Sequence, residues 1–401
     1  MGRRPGVAPL PVAVVLVVTA AVAAYAVGSS SSEGGAGSWE RAPTPPLSAR
    51  EDALGVWTGR EAIVFGGDGP PFYPPSWEGT VDETPPLRDG AAYDPRTRSW
   101  RPIAPAPVGV HLGTAVVAGG RVYVSVPIRP GGFASRRILL AYRIGEDRWE
   151  RLPSPPARGY VQLVAAGERL VVFGARSRAG PPGYVLRSGE RAWRPLPDDP
   201  FPRRWPRGLF WNGRRLVLIT TVPLGPDAQG RPLARAATLR LSARRWRRLP
   251  ESKDVLYGQL QWVRVGSRLV SPELDDGSGR FRWGRPLGGI LDPERGVWSD
   301  LPELPATFDF EFGSGVLTRT LGTYQFPHGW VLDMAAGRWL LIPRLPTGWG
   351  FEWGGATAVG MNRKLLAFGG PRYGRNKRGR LVNEAWIWSP PGPGFASTWS
   401  R

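Results

Sequence analysis

The 401-residue chain could form one large domain or two or three ordinary ones, and 41% hydrophobic residues speak against general disorder. Gly 54, Pro 44 and Trp 19 favour short strands and tight turns, while the absence of Cys excludes disulfides, thiolate metal sites and a Cys nucleophile. The formal charge of +20 comes from 53 basic residues, all but Lys253, Lys364 and Lys377 being Arg; spread through every segment, they read as compositional bias rather than a clustered nucleic-acid footprint.

The N-terminus carries Arg3 and Arg4, then a largely apolar run over 7–27, then "GSSSSEGGAG". Positive charge before an apolar stretch predicts export. Residues 1–28 are read as an uncleaved transmembrane anchor or a cleaved signal peptide with an A-x-A site at Ala24-Tyr25-Ala26, the anchor being favoured. Residues 29–38 read as a flexible Ser/Gly linker. The expected location is the cell membrane, with the bulk of the chain outside, or the secreted fraction.

From residue 39 onward a Trp followed by an apolar-Pro step recurs. It appears at Trp39 ("WERAPTPP"), Trp100 ("WRPIAPAP"), Trp149 ("WERLPSPP"), Trp193 ("WRPLPDDP"), Trp246 ("WRRLPES"), Trp298 ("WSDLPELP") and Trp339 ("WLLIPRLP"). Spacings of 61, 49, 44, 53, 52 and 41 residues suit four-stranded units with loop insertions. Six residues before each of the last six Trp an apolar strand ends, at Asp94, Arg143, Arg187, Arg240, Asp292 and Asp333; a constant offset predicts a hairpin of fixed length. Each Trp would then open an outer strand and pack between neighbouring sheets. Upstream lies a further strand pair, clearest in "ALGVWTGREAIVFGG" and "GATAVGMNRKLLAFGG" and degenerate in "VQLVAAGERLVVFGA" and "GLFWNGRRLVLITT".

With its Gly-Gly doublet, Tyr-Asp-like strand and downstream Trp, the chain resembles the Kelch-repeat propellers, the family that includes the central domain of galactose oxidase. The resemblance implies an all-β fold, a seven-bladed Kelch-like β-propeller over residues 39–401. Only Gly66-Gly67 and Gly369-Gly370 keep the doublet in its slot. The last repeat, ending near Trp388, lacks an apolar-Pro step, whereas "SWERAP" at 38–43 is an outer strand without a blade. An N-terminal strand is therefore expected to close the ring, against self-closure through Phe395 or Trp399.

Such propellers bind or react at the channel mouth, where loops from each outer strand reach the next inner strand. Those loops carry Arg50, Asp52, His111, Tyr160, Arg204, Trp205, Asp254, Tyr257, Trp349 and Trp353, with Glu51, Gln162 and Arg203 beside them; rings and carboxylates suit sugars. The oxidase's copper site, with its Cys-Tyr crosslink and histidine ligands, cannot be built from a chain with no Cys and only His111 and His328. Sialidase-type Asp boxes are also missing. A metal-independent sugar-isomerising activity stays open, with Asp309, Glu311 or Glu352 as acid or base. "ELDDGSG" departs from an EF-hand spacing, and no cofactor motif appears. The expectation is a monomeric, non-catalytic binding or protein-interaction module without metal or cofactor. Its partner would be a protein, a glycan or an acidic polymer, and nucleic acid is not expected.

Overall fold

The computed structural model describes residues 37–70, 85–111, 113–127, 137–154, 156, 161–174, 181–222, 233–252, 262–271, 288–302, 329–334, 336–343, 345, 355–373 and 379–392. All belong to the unit Gly35–Arg401, so the predicted N-terminal anchor or signal lies outside the described residues. Among the described residues no helix is long and apolar enough to cross a membrane. Helix is confined there to one 3-10 turn, Ile144–Glu146.

The rest is strand. The chain opens with β1 (Ser38–Arg41). Blade 1 follows with β2 (Leu54–Trp57), β3 (Ala62–Phe65), β4 (Gly90–Asp94) and β5 (Ser99–Ile103), and blade 2 with β6 (Thr114–Ala118), β7 (Arg121–Pro127), β8 (Arg137–Arg143) and β9 (Arg148–Leu152). Blade 3 is β10 (Val161–Ala166), β11 (Arg169–Gly174), β12 (Gly183–Arg187) and β13 (Arg194–Pro195); blade 4 is β14 (Arg207–Trp211), β15 (Leu216–Thr221), β16 (Ala234–Leu239) and β17 (Arg247–Arg248). Blade 5 comprises β18 (Val263–Val265), β19 (Arg268–Ser271), β20 (Gly289–Asp292) and β21 (Val297–Ser299). A two-stranded pair, β22 (Gly329–Asp333) and β23 (Arg338–Ile342), precedes β24 (Thr357–Met361) and β25 (Lys364–Phe368). A small ribbon of β26 (Pro371–Tyr373) and β27 (Gly379–Leu381) leads to β28 (Ala385–Ser389).

Strands 24, 25 and 28 take β1 as their fourth member, in the order β1-β28-β25-β24, and this closing blade brings the four-stranded blades among the described residues to six. Trp39 stands opposite Trp388 in that antiparallel register. The outer strand of the last blade thus comes from the N-terminus, and Phe395 and Trp399, the alternative closers, lie outside the described residues. The seven-blade expectation requires two inner strands within 303–328, also outside them.

This is an all-β propeller, and its inner strands are apolar on both sides because each sheet is covered on both faces. In β3, Ala62 and Val64 face the closing blade's Val359 and Phe368, while Ile63 and Phe65 face Val122 and Val124 of blade 2. Equivalent cores join blades 2 and 3, 3 and 4, and 4 and 5. The β22–β23 pair fills the remaining gap: Leu332 and Trp339 meet blade 5, and Val331 and Ile342 meet Leu365 and Trp388 of the closing blade.

The Trp motif acquires a physical meaning here. The apolar residue three positions after each Trp is buried: Ala42, Ile103, Leu152, Leu196, Leu249, Leu301 and Ile342. The carbonyl four positions after it accepts the indole N–H of the next repeat's Trp. Trp100 donates to Pro43 O at 2.8 Å, Trp149 to Ala104 O at 2.7 Å, and Trp193 to Pro153 O at 3.2 Å. Trp246 donates to Pro197 O at 3.0 Å, Trp298 to Pro250 O at 2.9 Å, and Trp339 to Pro302 O at 2.7 Å. Trp39 completes the circle by donating to Pro343 O at 2.6 Å. Replacing Trp39 by Phe keeps a ring but loses that bond, and should lower stability by about 1 kcal/mol in denaturant titration. Deleting 39–43 also bares the β28 edge, so the melting temperature should fall much further; an unchanged value would refute closure by β1.

Candidate functional site

Because neighbouring strands are antiparallel, hairpin turns gather at one end of the blades, the turn face. Connections from second to third strand, and from each blade to the next, gather at the other, the loop face. The inner strands surround a channel of about 720 Å³, lined by residues of β2, β6, β10, β14, β18 and β24. Two polar side chains on its wall are committed to the frame. Gln162 donates to Leu209 O at 2.7 Å and accepts from Leu209 N at 2.9 Å, and Thr357 donates to Ala53 O at 2.7 Å.

At the loop face, the segment Arg50–Asp52 passes between the two Gly-Gly doublets. Gly67 has φ +88°, and a Cβ there would lie 2.3 Å from Glu51 O; at Gly369, φ +68°, a Cβ would lie 2.6 Å from Arg50 O. Only glycine satisfies both the left-handed backbone and the close approach. Glu51 and Asp68 exchange backbone bonds of 2.9 Å, Gly370 N donates to Arg50 O, and Asp52 N donates to Gly355 O. The doublets therefore hold the loop where blade 1 meets the closing blade.

Three titratable groups come together on this seam. Asp52 lines the channel and holds φ at 52°, a conformation that Asp and Asn tolerate better than most residues. His111, from the loop before β6, puts Nδ1 in close contact with Asp68 Oδ2, without hydrogen-bond alignment. Asp68 is buried, and its Oδ1, like His111 Nδ1, has no hydrogen-bond partner among the described residues. Burial pushes the Asp52 carboxyl up to about 6, with Asp68 adding to the rise and His111 opposing it. A carboxyl of that kind can donate or accept a hydrogen bond near neutral pH.

Arg50, expected at the mouth, serves the frame instead. It is fully buried, and each of its five N–H groups is engaged. Nε donates to Ser48 O at 3.1 Å, Nη1 to Gly66 O at 3.1 Å and Asp89 Oδ1 at 2.8 Å, and Nη2 to Ser48 Oγ at 2.9 Å and Asp89 Oδ2 at 2.8 Å. No donor remains for a ligand. Asp68 and Asp89 were not singled out by sequence; Asp68 directly follows the Gly66-Gly67 doublet, which was the available signal.

The other predicted residues do not join this cluster. Arg204 is exposed and Trp205 half-buried on the loop between blades 3 and 4. The Trp205 ring stacks on Phe201 at 6.3 Å, with the Arg235 guanidinium over it at 5.4 Å. Beside it Arg207 pairs with Asp199 at 2.6 Å, both side chains almost wholly buried; desolvation pulls the arginine down, against the pull of Asp199. Tyr160, Asp254, Tyr257, Asp309, Glu311, Trp349, Glu352 and Trp353 lie outside the described residues. Among the described residues no group of three or more His, Asp or Glu could hold a metal ion. The chain matches no protein-family model and no curated protein.

The raised Asp52 carboxyl sets a sign for pH dependence. Its unfolded value is near 3.8, so from there to about 6 the unfolded chain ionises while the fold holds the neutral acid. Stability is lost as pH rises through that window, by at most about 3 kcal/mol. Asp52→Asn keeps the backbone tolerance and removes the penalty. Its melting temperature should match the parent near pH 4 and exceed it at pH 7.5; parallel pH profiles would contradict the assignment. Arg50→Gln should cost about 3 kcal/mol by chemical denaturation, the low end for a broken buried pair because Asp89 is half exposed.

Proposed function

We propose that the chain is an extracytoplasmic binding module: a seven-bladed Kelch-like propeller that takes a hydroxyl-rich glycan at the loop-face mouth of its channel. The apolar segment 7–27 tethers it to the membrane. The observation that carries the ligand class is the Asp52, Asp68 and His111 cluster beside the channel, whose carboxyl groups suit sugar hydroxyls. What supports the seven-blade count is the closed circle of seven Trp-to-carbonyl bonds, together with the seat of β22–β23 between blade 5 and the closing blade.

A second reading has its own support. A carboxyl near 6 beside an Asp–His pair is also what proton transfer at a sugar carbon would use, so a metal-independent sugar-modifying enzyme is the alternative.

A thermal-shift series on the full chain with neutral and acidic oligosaccharides separates the two. A binding module should show a saturable rise in melting temperature with at least one oligosaccharide. His111→Ala should abolish that rise, and the sugar should be recovered unchanged. Product formation, lost in Asp52→Asn, would establish the enzyme instead. No shift with any oligosaccharide would overturn the glycan reading in favour of a protein partner.

A further inference from the structure

The arginines are not spread evenly once they are placed on the fold. In blades 3 and 4, residues 183–222 and 233–250 contain fourteen arginines and three carboxylates, more than half of the whole chain's net charge of +20. On the turn face of blades 1 and 2 the arginines bring their own counter-ions. Asp94 pairs with Arg60 and Arg96, Arg98 with Glu40, and Glu146 with both Arg143 and Arg148. The turns of blade 4, 212–215 and 240–246, contain no acid at all. Arg215 borrows Glu294 from blade 5 at 3.1 Å. Arg214, Arg240, Arg244 and Arg245 are exposed and make no ion pair among the described residues.

The chain joins the propeller on this same face. β1 runs from the turn face towards the loop face, Ser38 standing opposite Ser389 at the turn end of β28. The blade it completes is three steps from blade 4, through the β22–β23 pair and blade 5, and so lies across the ring. Attachment at one side of the ring and, at the other, guanidinium groups without an ion pair among the described residues thus share the turn face.

We propose that the turn face of blade 4 is a docking surface for an anionic phospholipid bilayer, with Arg214, Arg240, Arg244 and Arg245 bonding the headgroup phosphates. Guanidinium groups bond phosphate oxygens bidentately, and each basic group near such a surface strengthens attachment about fivefold at low salt. With the tether reading above, on which only the choice of a membrane as occupant rests, the ring would lie flat with its loop-face mouth turned outward. Four arginines multiply to a contribution of several hundredfold, screened as ionic strength rises.

The full chain is mixed with vesicles of phosphatidylcholine alone or of equimolar phosphatidylcholine and phosphatidylglycerol. Co-sedimentation and amide hydrogen exchange over 212–215 and 240–246 are then read. Protection of both turns is expected on the mixed vesicles alone and should disappear at about 0.5 M salt, where the screening length falls to a few ångströms. The combined variant Arg214→Gln, Arg240→Gln, Arg244→Gln and Arg245→Gln should keep the parental melting temperature and lose that protection. Turns that exchange freely on mixed vesicles would overturn the proposal, as would stronger protection by soluble RNA or polyphosphate. Co-sedimentation with phosphatidylcholine alone reports the anchor separately: its failure would sink the tether reading while leaving the turn-protection result intact.

Discussion

Each repeat tryptophan donates its indole N–H to a carbonyl of the preceding repeat, and the rest of the propeller depends on that bond. The motif is donor and acceptor at once: the Trp reaches back to the previous blade, while its own apolar-Pro step offers a buried side chain and then a carbonyl to the next. Such a chain of bonds is satisfied everywhere only if it is circular. Left open, it would strand the Trp39 donor at one end and the Pro343 carbonyl at the other, and an unmade bond to a partly buried group costs more than a made one gains. This is the physical reason an outer-strand motif stands before the first blade and lies, in space, on the last.

The same closure fixes where titratable chemistry sits. Arg50 to Asp52 is the first stretch of chain after β1 has joined the closing blade, and it must turn into blade 1 while in contact with both. The turn is over-determined: two glycine doublets leave no room for a Cβ, five guanidinium bonds anchor Arg50, and backbone bonds reach Gly355 and Asp68. Rigidity of that kind keeps Asp52 in its left-handed conformation beside the contact of Asp68 with His111. A carboxyl can be kept out of water in this way only if its surroundings cannot relax around it.

Much of the architecture was legible because it is written periodically. The constant offset before each Trp becomes the antiparallel pairing of third and outer strands, as in Tyr93 with Trp100 and Tyr142 with Trp149. Those rings also touch, at 5.0 and 5.1 Å. Asp68 and Asp89 were not legible because nothing repeats around them; each is defined by what the fold carries to it, His111 from forty-three positions on and Arg50 from thirty-nine back. Arg50 illustrates the converse. An arginine in a mouth loop has the composition of a ligand contact, and only the hydrogen-bond count reveals that all its donors are spent.

Composition was a poor guide to charge for a related reason. An Arg-rich bias sets how many arginines a segment holds, but the field they produce depends on which carboxylates lie within reach, and those come from other strands. Arg98 is neutralised by Glu40 of β1, and Arg215 by Glu294 of the next blade. Blade 4 differs from blades 1 and 2 both in its larger arginine count and in the missing partners, and the second is a property of the ring and not of any stretch of sequence. An excess of one residue type therefore yields a surface with a direction wherever its counter-ions are sparse.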